Sequence, residues 1–361
     1  MSVSESGLYP MNIGRLVDLL SEAYVALIRS GTPFREFPST MIWGPPGVGK
    51  SQGIRQIGRE IERKTGRAVK ITDVRLLLFN PVDLRGIPTA NAEKTLAVWL
   101  KPQIFQMEED EDVVNILFLD EISAAPPSVQ AAAYQITLDR TVGEHRLPEN
   151  CLIIAAGNRV TDRSVAYNMP RALANRLCHF EIKGDPSEWH DWAIRTGIHP
   201  YVTGYLEYNS VALMRAGEDS DLAFPTPRSW EMVSKILQTV PGSIDRLYPL
   251  LIGCVGHTTA SGFRTWTELY ESMPKVEGFL SGRAKDLPKS KELRIALRSV
   301  LVDYLRKHPD PETLNRAIDL ACRFPWDFRI DLILDGLLIP ELRRMVMETD
   351  LYQTAKRDGL L

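Results

Sequence analysis

Thr40-Met41-Ile42-Trp43-Gly44-Pro45-Pro46-Gly47-Val48-Gly49-Lys50-Ser51 reads as a short apolar strand that runs through a glycine-rich turn into a helix reaching about Lys64. Residues 44–51 match G-x-x-x-x-G-K-[ST] in full. Glycines at such spacing let backbone N–H groups turn inward around phosphate oxygens. Gly44, Pro45, Pro46, Gly47, Val48, Gly49, Lys50 and Ser51 are therefore the expected phosphate-binding residues. Lys50 is expected to reach the β- and γ-phosphates, and the Ser51 hydroxyl to ligate magnesium. The helix after the loop points its positive end at the anion. Gly66 suits its C-terminal cap.

A second stretch supplies the acids such a loop needs. Val113 to Leu119 is the most apolar strand of the chain, and Asn115-Ile116-Leu117-Phe118-Leu119-Asp120-Glu121 ends it in two carboxylates. The end of a buried parallel strand lies at the sheet edge where ligands of such folds bind. Asp120 is placed to hold the metal and Glu121 to orient and polarise an attacking water. Leu152-Ile153-Ile154-Ala155-Ala156-Gly157-Asn158 repeats the pattern with an amide at its end, so Asn158 is expected beside the carboxylate strand.

Three arginines are candidates for the charge that develops in phosphoryl transfer. Met169-Pro170-Arg171-Ala172-Leu173-Ala174-Asn175-Arg176-Leu177 reads as a short helix leading into a strand. Arg171 and Arg176, five apart, would point to different faces of that helix. An arginine given by a neighbouring subunit stabilises transition-state charge; the plain alternative for each is a surface ion pair. Arg228 falls in the first turn of a helix opened by Pro225-Thr226-Pro227. A cation there opposes the helix dipole, and a bound phosphate would give it a reason.

The rest of the chain places these stretches in a fold. A helix is expected over 11–29, strands over 69–73, 151–155 and 177–182, a Pro- and Gly-containing loop over 80–95, a helix over 128–138 and a hairpin over 141–148. The acidic run Glu108-Glu109-Asp110-Glu111-Asp112 reads as a solvated loop. Strands alternating with helices predict an α/β core with a parallel sheet covered on both faces. Beyond Gly184-Asp185-Pro186 the pattern turns helical, and a softer break falls in 281–291. The expected division is a nucleotide-binding core over 1–184, a helical domain over 185–280 and a C-terminal helical extension over 281–361.

Bulk properties narrow the class. With 44% hydrophobic and 25% charged residues the chain has the makeup of a globular protein with a full core. A net charge of −3 gives no overall footprint for nucleic acid. The four cysteines, Cys151, Cys178, Cys254 and Cys322, are far apart in sequence and read as reduced, mostly buried thiols rather than a zinc site. The N-terminal residues lack a basic and then apolar leader, and no uncharged run approaches the roughly 20 residues that span a bilayer, so a cytoplasmic protein is expected.

In combination, GPPGVGKS at 44–51, ILFLDEIS at 116–123, AAGNR at 155–159, MPRALANRL at 169–177 and FPTPRSW at 224–230 resemble the AAA+ ATPases, and within them the MoxR family. The likeness covers roughly residues 11 to 275. It implies an αβα core, a helical lid and a homo-oligomer, usually a hexameric ring, with ATP and Mg2+ bound between subunits. By similarity Lys50 and Ser51 belong to Walker A, Asp120 and Glu121 to Walker B, Asn158 to sensor 1 and Arg228 to sensor 2, acting in cis or in trans. Arg176 resembles the arginine finger, with Arg171 as the second candidate. Residues 82–99 resemble the insertion that in relatives projects toward the central face of the ring, and 141–148 the hairpin before sensor 1. The family often works with a partner that carries a von Willebrand factor A domain, in protein maturation or metal-centre assembly. The implied activity is ATP-driven remodelling of a protein partner. A nucleic-acid motor of the same clade, disfavoured by the charge balance, and a slow nucleotide-dependent switch are the competing readings.

Overall fold

The computed structural model describes residues 7–159, 167, 169, 171–215 and 222–361, with backbone alone for Ala172 and Leu173. Pro170 of the arginine-bearing stretch lies outside the described residues. The chain forms two compact units, Met1–Gly184 and Asp185–Leu361.

The first unit runs β1 (Pro10–Met11), α1 (Ile13–Ser30), β2 (Thr40–Trp43), α2 (Lys50–Thr65), β3 (Ala68–Arg75), α3 (Pro81–Arg85), β4 (Ile87–Ala90), β5 (Ala97–Leu100), β6 (Val113–Asp120), α4 (Pro127–Asp139), β7 (Thr141–Val142), β8 (His145–Arg146), β9 (Cys151–Gly157), α5 (Arg171–Ala174) and β10 (Cys178–Ile182). Six of the strands make one sheet in the order β1-β10-β2-β9-β6-β3, and every pairing in it is parallel. The sequence dictates that order through burial. Strands β6 and β9 are apolar almost throughout and take the interior, buried on both faces. Strand β3 alternates exposed and half-buried residues and takes the edge.

The chain crosses from β2 through α2 to β3, at the far edge, and fills in β6 and β9 later. The C-terminal ends of β2, β9 and β6 therefore lie side by side: Trp43 is the register partner of Gly157, and Leu119 of Ala155. A crevice beyond the carboxyl ends of such strands is where open α/β sheets bind ligands.

Helix α1 begins at an Asn12 cap whose side chain accepts from the Arg15 N–H and ends at Gly31, in the left-handed region with φ of 67°. Its first residue packs onto the first turn of α2: a Cβ on Gly53 would meet Ile13 Cδ1 at 2.6 Å. That residue is glycine because the two helices touch there.

Three sequence expectations change. The stretch 80–95 is not a plain loop: it holds α3 and β4, the first strand of the antiparallel hairpin β4–β5, whose turn is closed by Asn91 Oδ1 accepting from the Thr95 and Leu96 N–H groups. Its strands lie almost wholly in solvent, so they carry no alternation to read. Arg176 is not on a helix with Arg171; α5 ends at Ala174, and Arg176 sits in the turn before β10. The thiols are also less buried than expected. All four are free, but Cys151 alone is buried and Cys322 is exposed.

The hairpin leaves the core at Gly86, with φ of 90° and ψ of 179°. A Cβ there would stand 2.0 Å from the Leu100 carbonyl oxygen. That conformation is open to glycine almost alone, and forcing another residue into it costs about 1–3 kcal/mol before the clash is counted. Gly86→Ala is expected to release the base of the hairpin and to speed hydrogen exchange of the 87–100 amides; unchanged exchange there would contradict this.

The second unit is helical: α6 (Pro186–Thr196), α7 (Pro200–Tyr208), α8 (Pro227–Thr239), α9 (Ile244–Val255), α10 (His257–Glu271), α11 (Val276–Leu280), α12 (Lys291–Lys307), α13 (Pro311–Ala321), α14 (Trp326–Leu338), α15 (Pro340–Met347) and α16 (Asp350–Arg357). Its described residues form two apolar cores. One gathers Trp189, Tyr205, Trp230, Phe263 and Trp266; the other gathers Phe279, Leu301, Leu320, Phe328 and Leu342. Helix α12 feeds both, Ile295 and Ala296 into the first and Leu297 and Leu301 into the second, so residues 281–361 pack with 185–280 as one body. Among the described residues no helix is long and apolar enough to cross a membrane.

Candidate nucleotide site

The loop between β2 and α2 is shaped by two left-handed glycines, Gly47 with φ of 83° and Gly49 with φ of 90°. Gly44 is needed for a different reason: a Cβ there would lie 2.9 Å from the Ile182 carbonyl oxygen. Gly49 caps α2 without any side-chain acceptor. A glycine at that position leaves the start of α2 without a capping side chain, the arrangement that suits an anion.

Lys50 folds back over this loop. Its Nζ donates to the carbonyl oxygens of Gly44 at 2.5 Å and Pro45 at 3.1 Å, and to Asn158 Oδ1 at 2.8 Å. The Ser51 hydroxyl donates to Asp120 Oδ2 at 3.2 Å. These two contacts join the ends of β2, β9 and β6 into one polar cluster, with Lys50, Ser51, Asp120 and Asn158 as its members.

Glu121, next in the chain, has φ of 58°, in the left-handed region that non-glycine residues seldom occupy. The surrounding bonds hold it there. Its N–H donates to Asp120 Oδ1 at 2.9 Å, and the Ile122 N–H donates to the Ala156 carbonyl at 3.0 Å, pinning the turn to β9.

The sequence motifs do not point to Ser123. It is buried, and its Oγ accepts from the Asn158 N–H at 2.9 Å. A Cβ on Gly157 would meet that oxygen at 2.8 Å. The amide of Asn158 is thus aimed from the carboxylate turn; a serine three places after Asp120 is the only hint in the sequence. Asp73 also lies nearby, on β3. Burial pushes its carboxyl up first and the charge of Asp120 second, while Arg75 and Arg55 pull it back.

Arg171 and Arg176 are exposed, and their side chains make no hydrogen bond or ion pair among the described residues. Arg228 belongs to the other unit. It is the second residue of α8, exposed, in a turn closed by the Thr226–Ser229 capping box and holding no acid.

The donor set fits a magnesium nucleotide. Lys50 and the uncapped start of α2 present positive charge and N–H donors to phosphates. The Ser51 hydroxyl and the Asp120 carboxylate are hard oxygen ligands, and magnesium takes few of these from protein when phosphates supply others.

Residues 39–179 match the family AAA_3, described as "ATPase family associated with various cellular activities (AAA)". That segment is an AAA-family ATPase domain. No curated protein matches the chain. Among solved structures the chain is similar to a putative ATPase from Cytophaga hutchinsonii, at 14% identity over 87% of this chain and 79% of that one, with a TM-score of 0.34. A RuvB variant from Thermotoga maritima matches at 15% identity over 87% of this chain and 90% of that one, TM-score 0.37. The ORC2 protein of Aeropyrum pernix matches at 13% identity over 94% of each chain, TM-score 0.40. Likenesses this distant say nothing about what the AAA domain here acts on.

Proposed function

We propose that this chain is a MoxR-type AAA+ enzyme that hydrolyses MgATP at a site completed by a neighbouring subunit of a homo-oligomeric ring, and that it spends the energy on remodelling a protein partner in the cytoplasm. The observation that carries the reading is the joining of Lys50 to Asn158 and of Ser51 to Asp120 at one end of the sheet. Bound there, MgATP would supply a γ-phosphoryl group for transfer to water.

In that reaction the chain's own residues position and stabilise. Lys50 neutralises the phosphate oxygens, trading loop carbonyls for them. Ser51 and Asp120 would hold the cation. Glu121 orients the attacking water and takes up its proton, and Asn158 fixes the water's other side. Arg176 enters the site of the next subunit. Its exposure and its lack of an ion pair among the described residues suit an arginine meant for another chain. Arg228 serves as sensor 2, and residues 185–280 act as the lid with 281–361 as its extension. A protein with a von Willebrand factor A domain is the proposed partner class.

ATP turnover per subunit should rise with protein concentration as subunits assemble, and fall to background when magnesium is chelated. Turnover that is flat in concentration would mean a self-contained site and sink the ring. Tight nucleotide binding with no turnover at any concentration would leave a nucleotide-dependent switch.

A further inference from the structure

The turn that carries Arg176 is tied to the phosphate-loop strand by one imidazole. Trp43 is the last residue of β2, directly before Gly44. Its indole Nε1–H donates to His179 Nδ1 at 2.8 Å, and the two ring planes are inclined by 14°. Tryptophan can only donate. Nδ1 of His179 is therefore the acceptor, and the ring proton sits on Nε2, 2.7 Å from the Ala174 carbonyl oxygen, to which it donates. Ala174 closes α5, two residues before Arg176.

The other side of the turn is fixed as well. Leu177 is buried in the core of the first unit, and the Cys178 N–H donates to the Ser39 carbonyl at 2.9 Å. Asn175 and Arg176 thus form a short exposed turn clamped at both ends, and both clamps lead to β2: one through His179 to Trp43, the other through Ser39, just ahead of Thr40. Register alone would not do this, since His179 is paired with Met41 rather than Trp43. The imidazole reaches along the strand to the residue that launches the loop.

We propose that His179 is a positioning residue for catalysis: by bridging Trp43 to the Ala174 carbonyl it indexes the Arg176 turn to the strand that launches the phosphate-binding loop. The proposal rests on the reading of Arg176 as the arginine given to a neighbouring subunit. An arginine that must meet a developing charge on another chain has to be presented by a stiff base, because a misplacement of about 1 Å can cost about 10²-fold in rate. His179 itself touches neither nucleotide nor water.

The test compares the native chain with Arg176→Ala, His179→Leu, His179→Gln and the double variant Arg176→Ala/His179→Leu. It measures steady-state ATP turnover together with the affinity for a fluorescent ADP analogue. Leucine removes both hydrogen bonds, whereas glutamine keeps one acceptor and one donor on a planar group. His179→Leu should lose about 10- to 100-fold in kcat with KM and ADP affinity near native. His179→Gln should recover most of the loss. The double variant should be no slower than Arg176→Ala alone, since His179 acts through that side chain.

A His179→Leu enzyme that turns over at the native rate while Arg176→Ala is dead would overturn the positioning role and leave the arginine reading intact. A double variant slowed by the product of the single losses would overturn it too, by showing a path independent of Arg176. Native turnover in Arg176→Ala would instead remove the arginine reading and the proposal with it. If leucine at 179 unfolds the protein by circular dichroism, Trp43→Phe breaks the same bridge from the other end and carries the same expectations.

Discussion

Arg176→Ala loses about 10³-fold or more of its ATP turnover, the range an arginine finger supplies, while its nucleotide affinity stays near native. The side chain is exposed, on a clamped turn, and has no hydrogen bond to Lys50, Ser51, Asp120 or Asn158 among the described residues. Its removal therefore takes nothing from ground-state binding within the subunit and removes an interaction made in the transition state of the next one. Mixing separates this from a local defect. Glu121→Gln abolishes turnover from its own site but keeps an intact Arg176. In a mixed ring, each interface between an Arg176→Ala subunit holding nucleotide and a Glu121→Gln subunit giving its arginine has a full set of groups. Two inactive preparations should thus regain activity when combined. Absence of recovery, with assembly shown by light scattering, would place Arg176 outside the neighbour's site.

The phosphate site is legible in the sequence because its residues are local there. The loop, its helix and the strand before it are contiguous, and Asp120 and Asn158 each end a buried strand whose apolar run announces it. The parallel sheet can be read from the same runs. The features that stay hidden depend on contacts between distant segments. Trp43 and His179 owe their roles to register and side-chain reach between strands, and Ser123 to the packing of its turn against β9; a histidine in a strand or a serine in a turn carries no signal of that. The hairpin β4–β5 is hard to read because a strand exposed on both faces lacks the period of two that burial imposes. Arg171-Ala172-Leu173-Ala174 favours a helix that would extend to Arg176, but the helix stops after a single turn, where the chain must reach Leu177 and enter the sheet.

The second unit holds a feature that no motif announces, and it sets the other large effect. Arg298 interrupts the apolar run of α12 between Leu297 and Leu301. It is buried. Its guanidinium pairs with Glu207 of α7 and Asp331 of α14, and its Nε lies 3.2 Å from Asp335 Oδ2 of the same helix as Asp331. His190 of α6 donates from Nε2 to Asp335 Oδ1 at 3.0 Å. One cation thus holds three carboxylates from two helices, with an imidazole behind them. Arg298→Met fills much of the volume and leaves the acids facing one another in a dry site, which should cost about 3–5 kcal/mol. Hydrogen exchange of the α12 and α14 amides reads this unit alone. Adding Asp335→Leu should return part of the loss, because it removes one stranded charge. The pH dependence has a definite sign. For His190, burial lowers the pKa, but the hydrogen bond and charge of Asp335 and the charge of Glu207 outweigh it and the net shift is upward. Burial also raises Glu207, against the pull of Arg298. Both groups hold protons more tightly folded than unfolded, so the stability they give declines as pH rises. The His190 share is complete below about pH 6.5 and disappears as pH climbs through its raised folded value. In Arg298→Met the acids lose their cation and take up protons more readily, so the penalty should shrink toward pH 5 and grow toward pH 8. A penalty below about 1 kcal/mol, the scale of an exposed pair, or one equal at both pH values, would mean that these charges are screened by water and that α12 is held by its apolar faces alone.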